Sequence, residues 1–325
     1  YTTANISAVD KASVNYNGWA GTLTIDSAGT LADVTAIVKA TTAGTFTTDS
    51  DKIVTLTTSA DTTVTATTAS SVFVTSGGQA TVSANTATAV SVTATEEAFI
   101  TANAANTVTF STGDGIDTTS ASAIASTLTS TNANNITVNV SGRAAATVVD
   151  LSGAANVTTV NVSGTQNVTV RVGLVGIDGI GTTTSTLLDD NLLVVNNTNT
   201  GTTNLFIKTT GGDGDFSSAN VNSIVVGADM GPLDDLTLAS GALLVTAADQ
   251  TNDLDVIAKN SASNTNSVRI TVQDNAAAGV DGDLAGGLKL TTFATATLTN
   301  SDSNSQALFG AVAATGTALT IAGGT

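Results

Sequence analysis

Short segments that alternate apolar and polar residues recur along this chain roughly every eight to ten residues, and that rhythm admits few architectures. Between Ile53 and Phe110 they read Ile53-Val54-Thr55-Leu56, Thr63-Val64-Thr65-Ala66, Val72-Phe73-Val74-Thr75 and Ala80-Thr81-Val82-Ser83. They continue with Val90-Ser91-Val92-Thr93, Ala98-Phe99-Ile100-Thr101 and Val108-Thr109-Phe110. Alternation of period two puts apolar residues on one face of a strand and Thr or Ser on the other. A second array repeats Asn139-Val140-Ser141-Gly142 as Asp150-Leu151-Ser152-Gly153 and Asn161-Val162-Ser163-Gly164, each unit eleven residues after the last.

Strands this short and closely spaced form either a β-sandwich of antiparallel hairpins or a β-solenoid, where each strand stacks on its equivalent one coil later. Tight hairpins call for Asn-Gly or Asp-Gly turns. The chain has such pairs at Asn17, Asp114, Asp178, Asp213 and Asp281, and none lies between the strands of the Ile53–Phe110 array. The sequence therefore predicts an all-β chain, a parallel β-helix-like solenoid with short rungs, with β-sandwich domains as the alternative. Coils of roughly 20–30 residues would stack at ~4.8 Å. Residues 1–52 read as an N-terminal cap or assembly segment, 53–175 as the regular array, and 176–325 as a more acidic, irregular β-rich region. Ala121–Leu128 and Asn304–Ala314 have spacing compatible with short helices.

Only 3% of the residues are aromatic, so the core rests on Ala, Val, Leu and Ile and must be thin. Tyr16 and Trp19 form the one notable aromatic pair, suited to closing the solenoid or to an assembly contact. The segment Tyr1–Val9 alternates polar and apolar residues and suits addition to another subunit's sheet edge. The chain starts at Tyr1 rather than Met, which reads as a processed or partial form.

Composition excludes whole classes of chemistry. There is no His and no Cys, hence no imidazole acid–base catalyst, no thiol nucleophile and no His/Cys metal centre. A net charge of −17 argues against nucleic-acid binding, which needs clustered cations. No apolar run is long enough for membrane insertion. Polysaccharide-cleaving β-helices line their clefts with aromatics and cations, whereas Arg143, Arg171 and Arg269 stand isolated here. The chain does not read as an enzyme.

The remaining chemistry is hard oxygen. Asp114 and Asp117 lie in Gly113-Asp114-Gly115-Ile116-Asp117, Asp213 and Asp215 in Gly211-Gly212-Asp213-Gly214-Asp215, and Asp281 and Asp283 flank Gly282. Glycine turns can aim carboxylates and carbonyls together, as a calcium ion with its six to eight oxygen ligands requires. These six aspartates are the candidate Ca2+ ligands. The pairs Asp189/Asp190 and Asp234/Asp235 read as solvated loop charges.

Gly211, Gly212 and Gly214 match the glycines of the G-G-x-G-x-D-x-U-x nonapeptide of calcium-binding β-rolls, with Phe216 where its Asp would stand. Gly113, Gly115 and Asp117 match from the second glycine on, and neither match repeats in tandem. In composition and repeat style the whole chain resembles bacterial RTX-type surface-layer proteins and secreted adhesins. That resemblance implies an extracellular, cell-surface structural role, lattices held by calcium and anchorage to a surface glycan. The expected function is self-assembly into a surface layer, sheath or filament; the alternative is an adhesin stalk or phage-fibre-like binding module.

Overall fold

The computed structural model describes residues 3–7, 13–26, 35–48, 53–113, 126–141, 147–174, 192–209, 211–232, 234–259, 265–273, 284–300, 309–314 and 318–322. Every regular element among them is a strand, from Thr3–Ser7 to Ala318–Ala322. Each described register is parallel, so the chain is a β-solenoid and not a sandwich of hairpins. Two compact units divide it. One comprises Tyr1–Val157, Asn161–Val168 and Asn199–Gly201; the other comprises Thr158–Val160, Thr169–Thr198 and Thr202–Thr325.

In the first unit successive strands fall alternately into two parallel stacks. Ile53–Thr58, Ser71–Ser76, Ala89–Ala94 and Thr107–Thr112 form one; Thr62–Ala66, Ala80–Ser83 and Ala98–Thr101 form the other. The long strand Thr35–Thr48 serves both, its first part beside Ile53–Thr58 and its second beside Thr62–Ala66. Thr35, Ile53, Ser71, Ala89 and Thr107 lie side by side, a step of eighteen residues per coil. This corrects the longer coil expected from the sequence. A strand of four to six residues plus a short corner uses nine, and two such halves close one turn. Residues 13–26 and 35–48 join the same parallel ladder, with Tyr16 beside Val38 and Trp19 beside Ala40 in backbone register. Thr3–Ser7 pairs with Thr22–Asp26 of its own chain.

The core follows from this spacing. One stack buries Val54 and Leu56, Val72 and Val74, Val90 and Val92, Val108 and Phe110; the other buries Val64, Val82 and Ile100. Each such side chain stabilises the fold by about 1.5–3 kcal/mol relative to an exposed one. At one corner Ala69, Ala87, Ala105 and Ala133 are fully buried, since only a small side chain fits where the two stacks converge. At the other corner buried hydroxyls bond the bending backbone: Thr58 donates to the Ala60 carbonyl at 2.7 Å, Ser76 to that same carbonyl at 2.9 Å, and Thr112 to the Glu96 carbonyl at 2.7 Å. After Thr112 the coil lengthens, and Thr107 aligns with Asn135.

The outward face of the second stack is a lattice. Thr22, Thr45, Thr63, Thr81, Phe99 and Thr127 form one column, and Thr24, Thr47, Thr65, Ser83, Thr101 and Thr129 form the next. The opposite stack is less uniform outside, with Lys39, Ile53 and Phe73 interrupting its Thr and Ser columns.

The second unit keeps the parallel two-stack plan but not the constant coil. Asn204 aligns with Ser223 across nineteen residues, whereas Val256 aligns with Leu290 across thirty-four. Its core uses larger side chains, among them Leu193, Leu236, Leu244, Leu254, Leu288 and Leu298. The helical spacing noted at Asn304–Ala314 gives way to a strand, Phe309–Ala314, in which Ala311 and Val312 pair with Gly287 and Leu288. Ser126–Ser130 is likewise a strand, and residues 121–125 lie outside the described residues. In both places stacking on the preceding coil outweighs a weak local helical preference.

Candidate functional site: the charged recess of the second unit

The largest concentration of titratable side chains among the described residues lies on an outer face of the second unit. Asp235, Asp255 and Lys289 stand side by side on adjacent parallel strands, as do Asp215, Thr237, Ile257 and Thr291. Asp213, just before the strand Gly214–Asp215, extends the first column, because its carboxylate accepts the Asp235 N–H at 2.7 Å. Asp213, Asp215, Asp235, Thr237 and Thr291 border an open recess of about 340 Å³, with Leu192 and Ile257 supplying apolar wall.

Like charges opposite one another on neighbouring strands repel, so each carboxylate needs compensation. Lys259 Nζ meets Asp215 at 2.5 Å, and Lys289 Nζ meets Asp255 at 2.5 Å. Asp215 also accepts the Ser217 N–H at 3.0 Å and the Ser217 hydroxyl. Burial alone pushes the Asp215 carboxyl up, but the hydrogen bonds from Lys259 and Ser217 outweigh it and hold the group below its ordinary value. The hydrogen bond to Asp255 raises the Lys289 ammonium above its ordinary value, against partial burial and with help from the charges of Asp255, Asp235 and Asp253. Asp255 Oδ1 is buried without a hydrogen-bond partner.

Of the six aspartates read as calcium ligands, Asp213 and Asp215 are the two the structure describes. Asp114, Asp117, Asp281 and Asp283 lie outside the described residues. Asp213 and Asp215 sit together, as the sequence suggested, but a backbone N–H and a lysine ammonium hold them. A divalent cation at Asp215 would have to displace Lys259. No group of three or more acidic side chains suited to a metal ion occurs among the described residues.

Sequence reasoning missed what aspartate does here. Asp234, read as a solvated charge, is buried, and its Oδ2 accepts the N–H of Gly231 at 2.7 Å and of Gly211 at 3.0 Å. Asp61 accepts the Gln79 N–H at 2.9 Å and Asp229 the Thr251 N–H at 2.8 Å. Each of these carboxylates satisfies a donor one coil away, where the chain turns a corner and strand pairing lapses. The signal was available in the spacing: Asp61 and Gln79 are separated by the eighteen residues of one coil. The recess therefore presents paired, anchored charges whose local effect is to fasten coils together.

Compared with protein-family models, curated proteins and solved structures, the chain has no match. Among the described residues no helix is long and apolar enough to cross a membrane.

Proposed function

We propose that this chain is an extracellular structural protein that self-assembles into a surface layer, sheath or filament, with calcium joining its acidic surfaces. The observation that carries this reading is the eighteen-residue coil of the first unit. A constant coil devotes nearly every inward residue to ladder packing and most outward ones to Thr or Ser, which yields a rigid scaffold rather than a reactive cleft. A net charge of −17 makes copies repel, and divalent cations relieve that repulsion on contact. Asp213 and Asp215 already have protein partners, so calcium falls to Asp114, Asp117, Asp281 and Asp283. A surface glycan is the proposed anchor.

Negative-stain electron microscopy of the purified chain, in calcium and then in chelator, tests the reading. Ordered sheets, tubes or filaments that dissolve on chelation are expected. Assemblies indifferent to chelator would remove calcium as the link. Single particles under both conditions would sink self-assembly and favour an adhesin stalk.

A further inference from the structure

We propose that the Thr-x-Thr face of the first unit binds ice. The proposal stands independently of self-assembly. Its starting point is geometric. Outward residues two apart along a strand are about 6.6–6.8 Å from each other, and equivalent residues on neighbouring strands about 4.8 Å. Six successive strands, from Thr22-x-Thr24 to Thr127-x-Thr129, hold this register, so the hydroxyls form a two-dimensional lattice on the ångström scale of oxygen repeats in ice. Only a partner that is itself periodic can use many identical contacts in register.

Three further observations select the occupant. First, the hydroxyls are uncommitted. Corner threonines such as Thr86, Thr88 and Thr95 donate to backbone carbonyls of the preceding coil, whereas Thr45, Thr63, Thr81 and Thr101 make no side-chain hydrogen bond with any described residue. Second, Thr is β-branched and stiff at χ1, so hydroxyl and methyl are held in place before contact and little freedom is lost on binding. Third, the two columns from Thr22 to Thr129 carry no ionisable side chain in a chain of net charge −17. Asp61, exposed beside Thr45, Thr63 and Thr81, borders these columns with its carboxylate on the Gln79 N–H, so the columns themselves complement a neutral surface and offer no array of charges to a mineral or a phosphate-bearing lipid. A crystalline polysaccharide would call for aromatic rings to stack on sugars, and the face has one, the half-buried Phe99. The lattice ends where Asp150 follows Thr127 on the next coil.

The test is a nanolitre freezing assay on the purified full chain, reading the gap between melting and freezing points and the shape of the crystal. The unmodified chain is expected to open a gap and facet the crystal. Thr63→Lys places a long charged side chain at the centre of the lattice, and Thr63→Tyr does so with a neutral residue that favours strands, so a folded variant is available even if lysine is poorly tolerated. Thr63 is exposed, so either change should leave the melting temperature of the protein unmoved while cutting the freezing gap about tenfold. Thr75→Lys, on the outer face of the other stack, should keep the gap. Absence of a gap in the unmodified chain would overturn the proposal, as would equal loss from Thr75→Lys. Binding to powdered cellulose or chitin without any freezing gap would assign the face to a polysaccharide crystal and overturn it too.

Discussion

The two units build the same parallel ladder from different materials. In the first, coils of constant length between Thr35 and Thr112 let like stack on like: Val on Val inside, Ala on Ala at one corner, Thr on Thr outside. In the second, coils run from nineteen to thirty-four residues, leucines fill the interior, and the outer columns mix Asp, Lys, Ile and Thr. A strict repeat removes the need for specific long-range partners, because each coil templates the next. Where coil length varies, alignment must be fixed residue by residue, and buried or paired carboxylates do that in the second unit.

The sharpest way to break this contrast is to open a cavity in each core. Leu56 and Leu236 are both fully buried. Leu56 is gripped by equivalent residues Val38 and Val74 on either side, whereas Leu236 has Gly214 as one strand neighbour. Leu56→Ala should cost roughly 4 kcal/mol, and Leu236→Ala should fall nearer 2 within the usual range of about 2–5, because a less uniform surround collapses more readily. Urea unfolding of both variants measures the difference. Equal losses would mean that coil regularity does not govern how far a core site relaxes.

A second comparison sets Asp234 against Asp61. Both carboxylates accept backbone N–H groups, but Asp234 is buried and serves two glycines, while Asp61 is exposed and serves the single N–H of Gln79. Asp234→Ala leaves those donors without their acceptor and should cost about 1–3 kcal/mol; Asp61→Ala, where water can replace the carboxylate, should cost about 0.5 kcal/mol. Thermal unfolding of the two variants measures both. A larger loss at Asp61 would show that the regular unit depends on its corner carboxylates more than the irregular one does.

How much was readable in advance follows the same divide. Strands from Ile53 to Phe110 lie where alternation placed them, because period two is a local signal and each inward Val or Ile has a buried site waiting. The parallel ladder followed from the missing hairpin turns. The coil length escaped notice although Val54, Val72, Val90 and Val108 mark it at intervals of eighteen, since Val and Thr are so common that the longer period hides beneath the shorter. Asp234 was misread for a different reason. Its burial depends on Gly211 and Gly231 meeting at one corner, a juxtaposition set by tertiary register and invisible in local sequence. At Asp215 the sequence found the carboxylate but not its cation, because Lys259 lies forty-four residues away.

That ion pair supplies the smallest of the expected effects. Asp215 titrates below its ordinary value in the folded state, so its contribution is complete above the unfolded value of 3.8 and is lost as pH falls through the lowered folded value. Lys289 titrates above its ordinary 10.5, so its contribution is complete below that and is lost as pH rises through the raised folded value. The two pairs together leave the second unit most stable between those limits. Both lysines are more than half exposed, so each pair is worth no more than about 0.5 kcal/mol and fades with added salt. Lys259→Met should accordingly flatten the acid limb of stability against pH and leave the alkaline limb alone, while Lys289→Met should do the reverse. Urea midpoints across the pH range, at low and high salt, read both limbs. If Lys259→Met moved the alkaline limb instead, Asp215 would not be its operative partner in solution, and the fastening of these coils would rest on the backbone hydrogen bonds of Asp213 and Asp234 alone.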